Sequence, residues 1–331
     1  MKKMLLMLGV AAAAMTSCTN DEVVEVNPAN VIKFESFVNK GTRAVTNTDE
    51  DITKFYVFGY HGDVTDFDNV EVSLNNGEWD YRGDVYWTVA TYNFGAYATK
   101  NTSDLLETTT EVSFANGALT FTDYTVNDDN DLVAALVNNR EISGIDTNPD
   151  PVEFTFQHLL SKIQFTFVNN VDNHEMFISD LKIAKYPQKG TCTYSSTGVV
   201  WTNLTDGTNK SLSSNLNAAG IEYEDSYQDN FLVIPTAAPT GEPAATTISN
   251  EYTVTFKATF KNESGEIVSE KNYPAAKLNV GVLQWKPGYV YNYTATLELN
   301  QQRIKFGAPD VTEWDSDLNN NDREDDDITL Q

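Results

Sequence analysis

Short segments in which apolar and polar residues alternate recur along most of the chain, and helical periodicity is scarce. Alternation at every second residue places apolar side chains on one face of a strand, so the pattern predicts an all-β chain made of sandwich domains. Turn clusters containing Asn and Gly separate the segments, and the cluster at residues 262–265 joins two alternating runs, which predicts a hairpin. The predicted strands include residues 31–37, 54–60, 93–97, 152–156, 162–168, 177–183, 231–234, 252–260, 289–299 and 303–306.

The length of 331 residues allows about two domains of ordinary size. The polar stretch 141–151, with two prolines, is the best candidate boundary. We therefore predict an N-terminal β-sandwich at residues 44–148 and a C-terminal β-sandwich at residues 149–314. Residues 132–137 fit a short helix and a strand equally well. Residues 315–331 form an acidic tail that is nearly free of apolar groups and cannot repay its ordering entropy unaided.

The first residues have the pattern of a targeting segment. Two lysines precede an unbroken apolar run at residues 4–14, which as a helix spans roughly 16 Å and is too short for a membrane anchor. We interpret residues 1–17 as a signal peptide. The run ends in Met-Thr-Ser-Cys, which resembles a bacterial lipobox, so Cys18 is the predicted site of lipidation and the chain's link to outer-membrane lipid. An ordinary secretory signal with an incidental cysteine is the alternative.

Asp21 and Glu22 follow the predicted lipidation site closely. Acidic residues in this position resemble the signal that exports lipoproteins to the outer face of the outer membrane in some Gram-negative bacteria. The expected location is therefore the cell surface, with the chain tethered by its lipid.

Charge and cysteine content exclude several classes of protein. The chain has 22 Lys and Arg against 48 Asp and Glu, a formal charge of −26, and such a surface repels phosphate backbones, so nucleic-acid binding is not expected. Cys18 and Cys192 are the only cysteines, and lipidation of the first leaves no partner for an internal disulfide. Cys192 lies in an alternating segment, which predicts a buried strand position.

The sequence contains no recognisable catalytic motif. His61, His158 and His174 lie in separate contexts, and no HxxxH or CxxC spacing indicates a transition-metal site. His158 lies between apolar residues and is expected to pack in or near the core. A nucleophile elbow and a phosphate-binding glycine loop are both absent. We therefore predict no cofactor and no enzymatic activity.

The acidic tail has one partial match to a calcium loop. Asp315, Asp317, Asn319 and Asn321 alternate, and Asp326 stands eleven positions after the first of them. Asparagine occupies the position of the turn glycine, and an aspartate replaces the longer bidentate glutamate. We expect a solvated acidic tail, with these five residues as weak calcium candidates.

Several segments taken in order resemble the fimbrillin family, the Mfa-like subunits of protease-matured (type V) pili. The lipobox is followed by a strand, and the similarity then continues over nearly the whole chain. Its further segments are residues 41–44 (GTRA), 53–60 (TKFYVFGY), 86–87 (YW), 94–97 (FGAY), 131–135 (DLVAA), 152–163 (VEFTFQHLLSKI), 285–291 (WKPGYVY), 304–306 (IKF) and 311–314 (VTEW).

The resemblance implies two tandem transthyretin-like β-sandwich domains and assembly by donor-strand exchange with other fimbrial subunits. It also implies a trypsin-like maturation protease that cuts after an arginine and removes the lipid together with the first strand. On this pattern residues 18–43 are a lipidated tether and propeptide strand. The predicted cut lies between Arg43 and Ala44, and the removable strand places Ile32, Phe34 and Phe37 in a groove. A surface linker with an incidental arginine is the alternative to the cut.

A second hypothesis is a surface-lipoprotein binding module, a tip adhesin that recognises glycan or host protein. Trp79, Tyr81, Tyr86 and Trp87 could stack on sugars, although a cross-strand core cluster is the favoured interpretation. The end of the chain has only Ile328 and Leu330 in alternation, which is short for a donor strand. This favours a tip or accessory subunit over a stalk subunit.

Overall fold

The computed structural model describes residues 30–38, 52–99, 106, 110–126, 131–144, 149–184, 186–207, 210–213, 220–236, 252–278, 285–299, 301, 303–304 and 306–314. These residues form strands and no α-helix, which confirms the predicted all-β class. Within this part of the chain, no helix has the length and apolar character needed to cross a membrane.

Nineteen strands follow one another along the described chain, and residues 132–137, which fitted a helix or a strand, lie in one of them. The first nine strands are β1 (Phe34–Val38), β2 (Lys54–His61), β3 (Val64–Asn75), β4 (Glu78–Tyr81), β5 (Ala90–Thr99), β6 (Glu111–Ala115), β7 (Ala118–Thr125), β8 (Leu132–Ile142) and β9 (Val152–His158). The others are β10 (Ser161–Asn169), β11 (His174–Ala184), β12 (Tyr186–Ser195), β13 (Gly198–Gly207), β14 (Lys210–Ser213), β15 (Ser226–Val233), β16 (Thr253–Asn262), β17 (Ile267–Lys277), β18 (Tyr289–Leu297) and β19 (Asp310–Glu313).

Asn-Gly pairs make the tight hairpins. Asn76 and Gly77 join β3 to β4, and Asn116 and Gly117 join β6 to β7, with φ values of 52°, 87°, 52° and 71°. Both central residues of this turn need positive φ, which Asn and Gly adopt at low cost. The predicted hairpin at residues 262–265 is also present and joins β16 to β17. One predicted strand is wrong: residues 303, 304 and 306 lie outside any strand, although Ile304 and Phe306 are buried.

The seven-stranded sheet curls around its own core. Its order is β1-β9-β8-β5-β2-β3-β4, and buried side chains from β1, β2, β3, β5, β8 and β9 form a single cluster. The first and last strands of the sheet, β1 and β4, come together. The hydroxyl of Tyr81, at the end of β4, donates a hydrogen bond to the carbonyl oxygen of Ile32, just before β1, at 2.9 Å. The strand β1 therefore closes the curled sheet.

Three four-stranded sheets complete the structure. The sheets β15-β10-β18-β19 and β14-β11-β16-β17 enclose one core, as expected for a β-sandwich. The sheet β13-β12-β7-β6 packs against the other face of the seven-stranded sheet in a second core that contains Phe58, Tyr97, Phe121 and Trp201. Strand faces with alternating burial thus line all three cores.

Strand pairing continues across the predicted domain boundary at residues 148 and 149. The strand β9 follows the boundary in sequence but pairs with β1 and β8, which precede it. In the same way β12 pairs with β7. The division into residues 44–148 and 149–314 stays a prediction.

Cys192 lies on β12 with no exposed surface, and burial raises the pKa of its thiol well above the ordinary value. A neutral buried thiol reacts slowly because the thiolate is the nucleophile. In a Cys18→Ser variant, where Cys192 is the only thiol, we expect labelling by a thiol reagent at pH 8 to be about 100-fold slower in the folded protein than in urea. Equal rates in the two states would contradict the buried position.

Candidate functional site

The segment that contains β1 pairs with two different parts of the chain. The strand β1 runs parallel to β9, with Phe34 beside Val152 and Val38 beside Phe156. Just before β1, Val31 forms an antiparallel bridge with Tyr86. This change of partner places the segment between β9 and residues 85–87, which lie in the connection between β4 and β5.

Backbone hydrogen bonds attach the segment on both sides. The Ile32 amide donates to the Val85 carbonyl oxygen at 2.8 Å, and the Trp87 amide donates to the Asn30 carbonyl oxygen at 2.8 Å. On the other side, the Val152 amide donates to the Lys33 carbonyl oxygen at 2.7 Å. If the segment left, each of these groups on the body of the protein would need a new partner.

Phe34 is the largest described side chain that this segment contributes to the core. Its ring is 3% exposed, and Ile32 beside it has no exposed surface. Each of five strands contributes one ring around Phe34, so a single side chain contacts β2, β3, β4, β5 and β9. The centroid distances are 6.4 Å to Phe55, 5.1 Å to Phe67, 5.6 Å to Tyr81, 6.2 Å to Phe94 and 5.7 Å to Phe154. Geometries of this kind stabilise aromatic pairs beyond the burial of their area.

Tyr81 links the far end of the sheet to this segment. Its hydroxyl donates to the Ile32 carbonyl oxygen and accepts a hydrogen bond from the Val85 amide at 3.3 Å. Burial raises the pKa of Tyr81 to about 12, so the hydroxyl remains a protonated donor even at moderately alkaline pH. The sequence placed Tyr81 in an aromatic cluster but gave no sign that it would contact the first strand.

The aromatic residues considered as a sugar-binding surface belong to the core around β1. Trp87 is 2% exposed, and Trp79 and Tyr81 are half-buried against the same cluster. The Trp79 ring packs on Phe55 with centroids 4.7 Å apart. Tyr86 is half-buried as well. The favoured interpretation of these residues, a core cluster, agrees with their burial.

Of the predicted site residues, Ile32 and Phe34 lie together on the buried face of the segment. The backbone of Phe37 pairs with Thr155, and its side chain lies outside the described residues. Cys18, Arg43 and Ala44 also lie outside the described residues, as do the calcium candidates Asp315, Asp317, Asn319, Asn321 and Asp326. In the described ranges, no group of three or more His, Cys, Asp or Glu side chains could hold a metal ion.

A second arrangement that the sequence did not reveal joins β9 to the end of the described chain. The Nδ1 atom of His158 contacts the Oδ2 atom of Asp131, and both side chains are 6% exposed. The imidazole stacks on Trp314, with ring centroids 4.2 Å apart and planes 6° from parallel. His158 thus packs in the core as expected, and it also connects residues that are far apart in sequence.

Comparison with known families matches residues 42–314 to a family described as fimbrillin-like. The chain belongs to the fimbrillin-like family. The resemblance predicted from the sequence is confirmed. Members of this family are structural proteins of fimbriae and not enzymes, so the chain is a fimbrial, cell-surface protein without catalytic activity.

Two solved structures with TM-scores above 0.5 share the fold of this fimbrillin-like chain. A fimbrial protein from Bacteroides vulgatus is 15% identical with a TM-score of 0.53, and the match covers 86% of this chain and 99% of that one. A candidate cell adhesion protein from Bacteroides ovatus is 13% identical with a TM-score of 0.51, covering 87% and 98%. Another from Bacteroides uniformis is 20% identical with a TM-score of 0.47, covering 86% and 100%. None of the curated proteins matches the chain.

Proposed function

We propose that this fimbrillin-like chain is a structural or accessory subunit of a cell-surface fimbria that assembles by strand exchange after proteolysis removes its first strand. The observation that carries the proposal is the position of β1, which closes the curled sheet and places Phe34 among rings from five strands. The predicted cut after Arg43 lies five positions beyond Val38, the last residue of β1. The family match begins at residue 42, next to this position.

Loss of the first strand would expose both polar and apolar groups. The Val152 and Trp87 amides and the Val85 carbonyl oxygen would lose their partners, and the rings around Phe34 would face an empty groove. Unpaired buried backbone groups and exposed apolar pockets both raise the free energy of the folded protein. An extended segment from another subunit restores the hydrogen bonds, and its alternate side chains set the register.

Cleavage makes exchange possible because it changes how tightly the resident strand is held. An uncut chain keeps β1 near its groove at an effective concentration on the order of millimolar, so that rebinding follows each opening. After the cut the segment is a separate peptide that dilution or a competing strand can replace. A contact in which one subunit gives a strand and receives another is head-to-tail, so it propagates into a filament.

The residues that precede β1 indicate where in the cell the proposed subunit is located. We place the unprocessed chain at the outer face of the outer membrane through lipid on Cys18, and in the fimbrium after a trypsin-like protease has cut between Arg43 and Ala44. The short polar stretch on both sides of Arg43 (KGTRAVTNTD) suits a protease that binds extended chain.

Limited digestion with an arginine-specific protease tests the cut. We expect a stable product whose N-terminal sequence begins at Ala44. A ladder of polymers on a native gel would identify it as a structural subunit, and a persistent monomer as a tip or accessory subunit. An Arg43→Gln variant should stay uncut at this position and monomeric. The matched control is Arg82→Gln, which removes an exposed arginine elsewhere in the described chain and should be processed like the wild type. Cleavage only at other arginines, or polymers from Arg43→Gln, would contradict the proposal.

A further inference from the structure

One pair of directly opposite residues on β1 and β9 carries two like charges. In the parallel pair of β1 and β9, Glu35 lies directly beside Glu153, and both side chains are exposed on the same face of the sheet. Neighbouring strands are about 4.8 Å apart, so the pairing places the two glutamate side chains next to each other. Like charges at directly paired positions destabilise a sheet. The resident strand is therefore a poorer electrostatic match for β9 than a strand with another residue at this register.

Nearby cations among the described residues do not form an ion pair with either glutamate, Glu35 or Glu153. Arg140 is the basic residue whose charge acts on Glu153: burial is the largest influence on its guanidinium and lowers the pKa, while Asp150 and Glu153 raise it. That guanidinium donates its hydrogen bonds to the backbone carbonyl oxygens of Asp150 and Pro151. The Glu153 side chain is exposed and, within the described ranges, has no ion pair of its own, beside whichever strand pairs with β9.

We infer that Glu153 selects the strand that replaces β1, by favouring a segment with a neutral or basic residue at the register of Glu35. The inference rests on the proposed strand exchange and adds a partner chemistry to it. The preferred occupant is an extended segment of another subunit with apolar side chains at the registers of Ile32 and Phe34. At the register of Glu35 it carries lysine, arginine or an uncharged residue. Such a strand gains the contacts of β1 without its repulsion, so exchange runs toward the incoming subunit.

Peptide binding to the cleaved protein tests this selection. After digestion and removal of the released segment, the protein is titrated with peptides spanning residues 30–38 (NVIKFESFV) that carry Glu35, Glu35→Gln or Glu35→Lys. We expect the Glu35→Lys peptide to bind about threefold to fivefold more tightly than the wild-type peptide, with Glu35→Gln between them. The difference should shrink at about 1 M salt, where charges are screened within about 3 Å.

Two protein variants separate the local effect from general attraction to an acidic protein. Glu153→Gln should reduce the differences among the three peptides to near onefold, as a double-mutant cycle requires. Glu111→Gln is the matched control, since Glu111 is an exposed strand glutamate in another sheet that pairs with Thr122, and it should leave the differences unchanged.

The outcomes distinguish this inference from the proposed function. Binding of all three peptides with equal affinity, or a preference that persists in Glu153→Gln, overturns the selection while strand exchange stands. Failure of every peptide to bind the cleaved protein overturns strand exchange itself, and the selection with it.

Discussion

Replacing Phe34 with alanine is expected to lower the free energy of unfolding of the uncleaved chain by about 3 kcal/mol, the lower end for a buried phenylalanine. The ring is 3% exposed and touches rings from five other strands, so its removal leaves a cavity that no single neighbour can fill. Urea unfolding followed by tryptophan fluorescence measures the change.

After cleavage, the same substitution should release the N-terminal segment about 100-fold faster, because most affinity differences appear in the dissociation rate.

Lys33→Ala is the matched control in the same segment. Lys33 is exposed and adjoins Phe34, and its backbone carbonyl oxygen, which accepts the Val152 amide, is unchanged by the substitution. We expect a change within about 0.5 kcal/mol. If Phe34→Ala costs no more than Lys33→Ala, then β1 contributes little to the core and the description of the groove is wrong.

Replacing Asp131 with alanine is expected to destabilise the chain by about 3 kcal/mol, because the substitution leaves the buried Nδ1 atom of His158 without a partner. The opposite ring nitrogen, Nε2, is already buried without a hydrogen-bond partner among the described residues, so the imidazole has nowhere else to bond. The expected result is a lower unfolding midpoint. The near-UV circular dichroism should also change, since Trp314 stacks on the same imidazole.

An exposed ion pair provides the comparison for Asp131. Glu270 and Lys257 are 3.5 Å apart with side chains 50% and 31% exposed, and Glu270→Ala should change stability by no more than about 0.5 kcal/mol. Asp131→Asn keeps the shape and one acceptor oxygen and should fall between the two. A loss for Asp131→Ala as small as that for Glu270→Ala would show that the buried contact with His158 does not stabilise the fold.

Much of the secondary structure follows from local sequence. Alternation gave the positions of β2, β9, β10 and β18, because a strand with one buried face must repeat every two residues. The Asn-Gly turns between β3 and β4 and between β6 and β7 were recognised as turns through their tolerance of positive φ, although the only hairpin predicted from sequence was the one at residues 262–265. Residues 132–137 were ambiguous because the run is short, and only pairing with β5 makes it the strand β8.

Which strands pair with each other could not be predicted from the sequence. Periodicity determines which face of a strand is buried but not which strand lies beside it. Nothing local in residues 34–38 indicates a parallel pairing with residues 152–156, and nothing local in β12 indicates a pairing with β7. The contacts of Asp131 with His158, and of Tyr81 with Ile32, depend on these long-range pairings.

The candidate site was predicted in part. The residues Ile32 and Phe34 came from the alternation in residues 31–37 together with the fimbrillin resemblance, and both are buried. The roles of Tyr81 and residues 85–87 were missed, because their contacts with the segment depend on long-range pairing and leave no periodic signal. Glu153 was missed for a related reason, since a like-charge pair becomes visible only when the register is known.

The most direct test of the account is an exchange measurement on the cleaved chain by native mass spectrometry and hydrogen exchange. Protein cut after Arg43 is mixed with an isotopically labelled peptide of residues 30–38. The account predicts that the folded body releases its own N-terminal segment, takes up one labelled peptide and again protects the Val152 amide from exchange. A body that keeps its original segment under excess peptide, or that releases it only on unfolding, would contradict the claim that β1 is a replaceable strand.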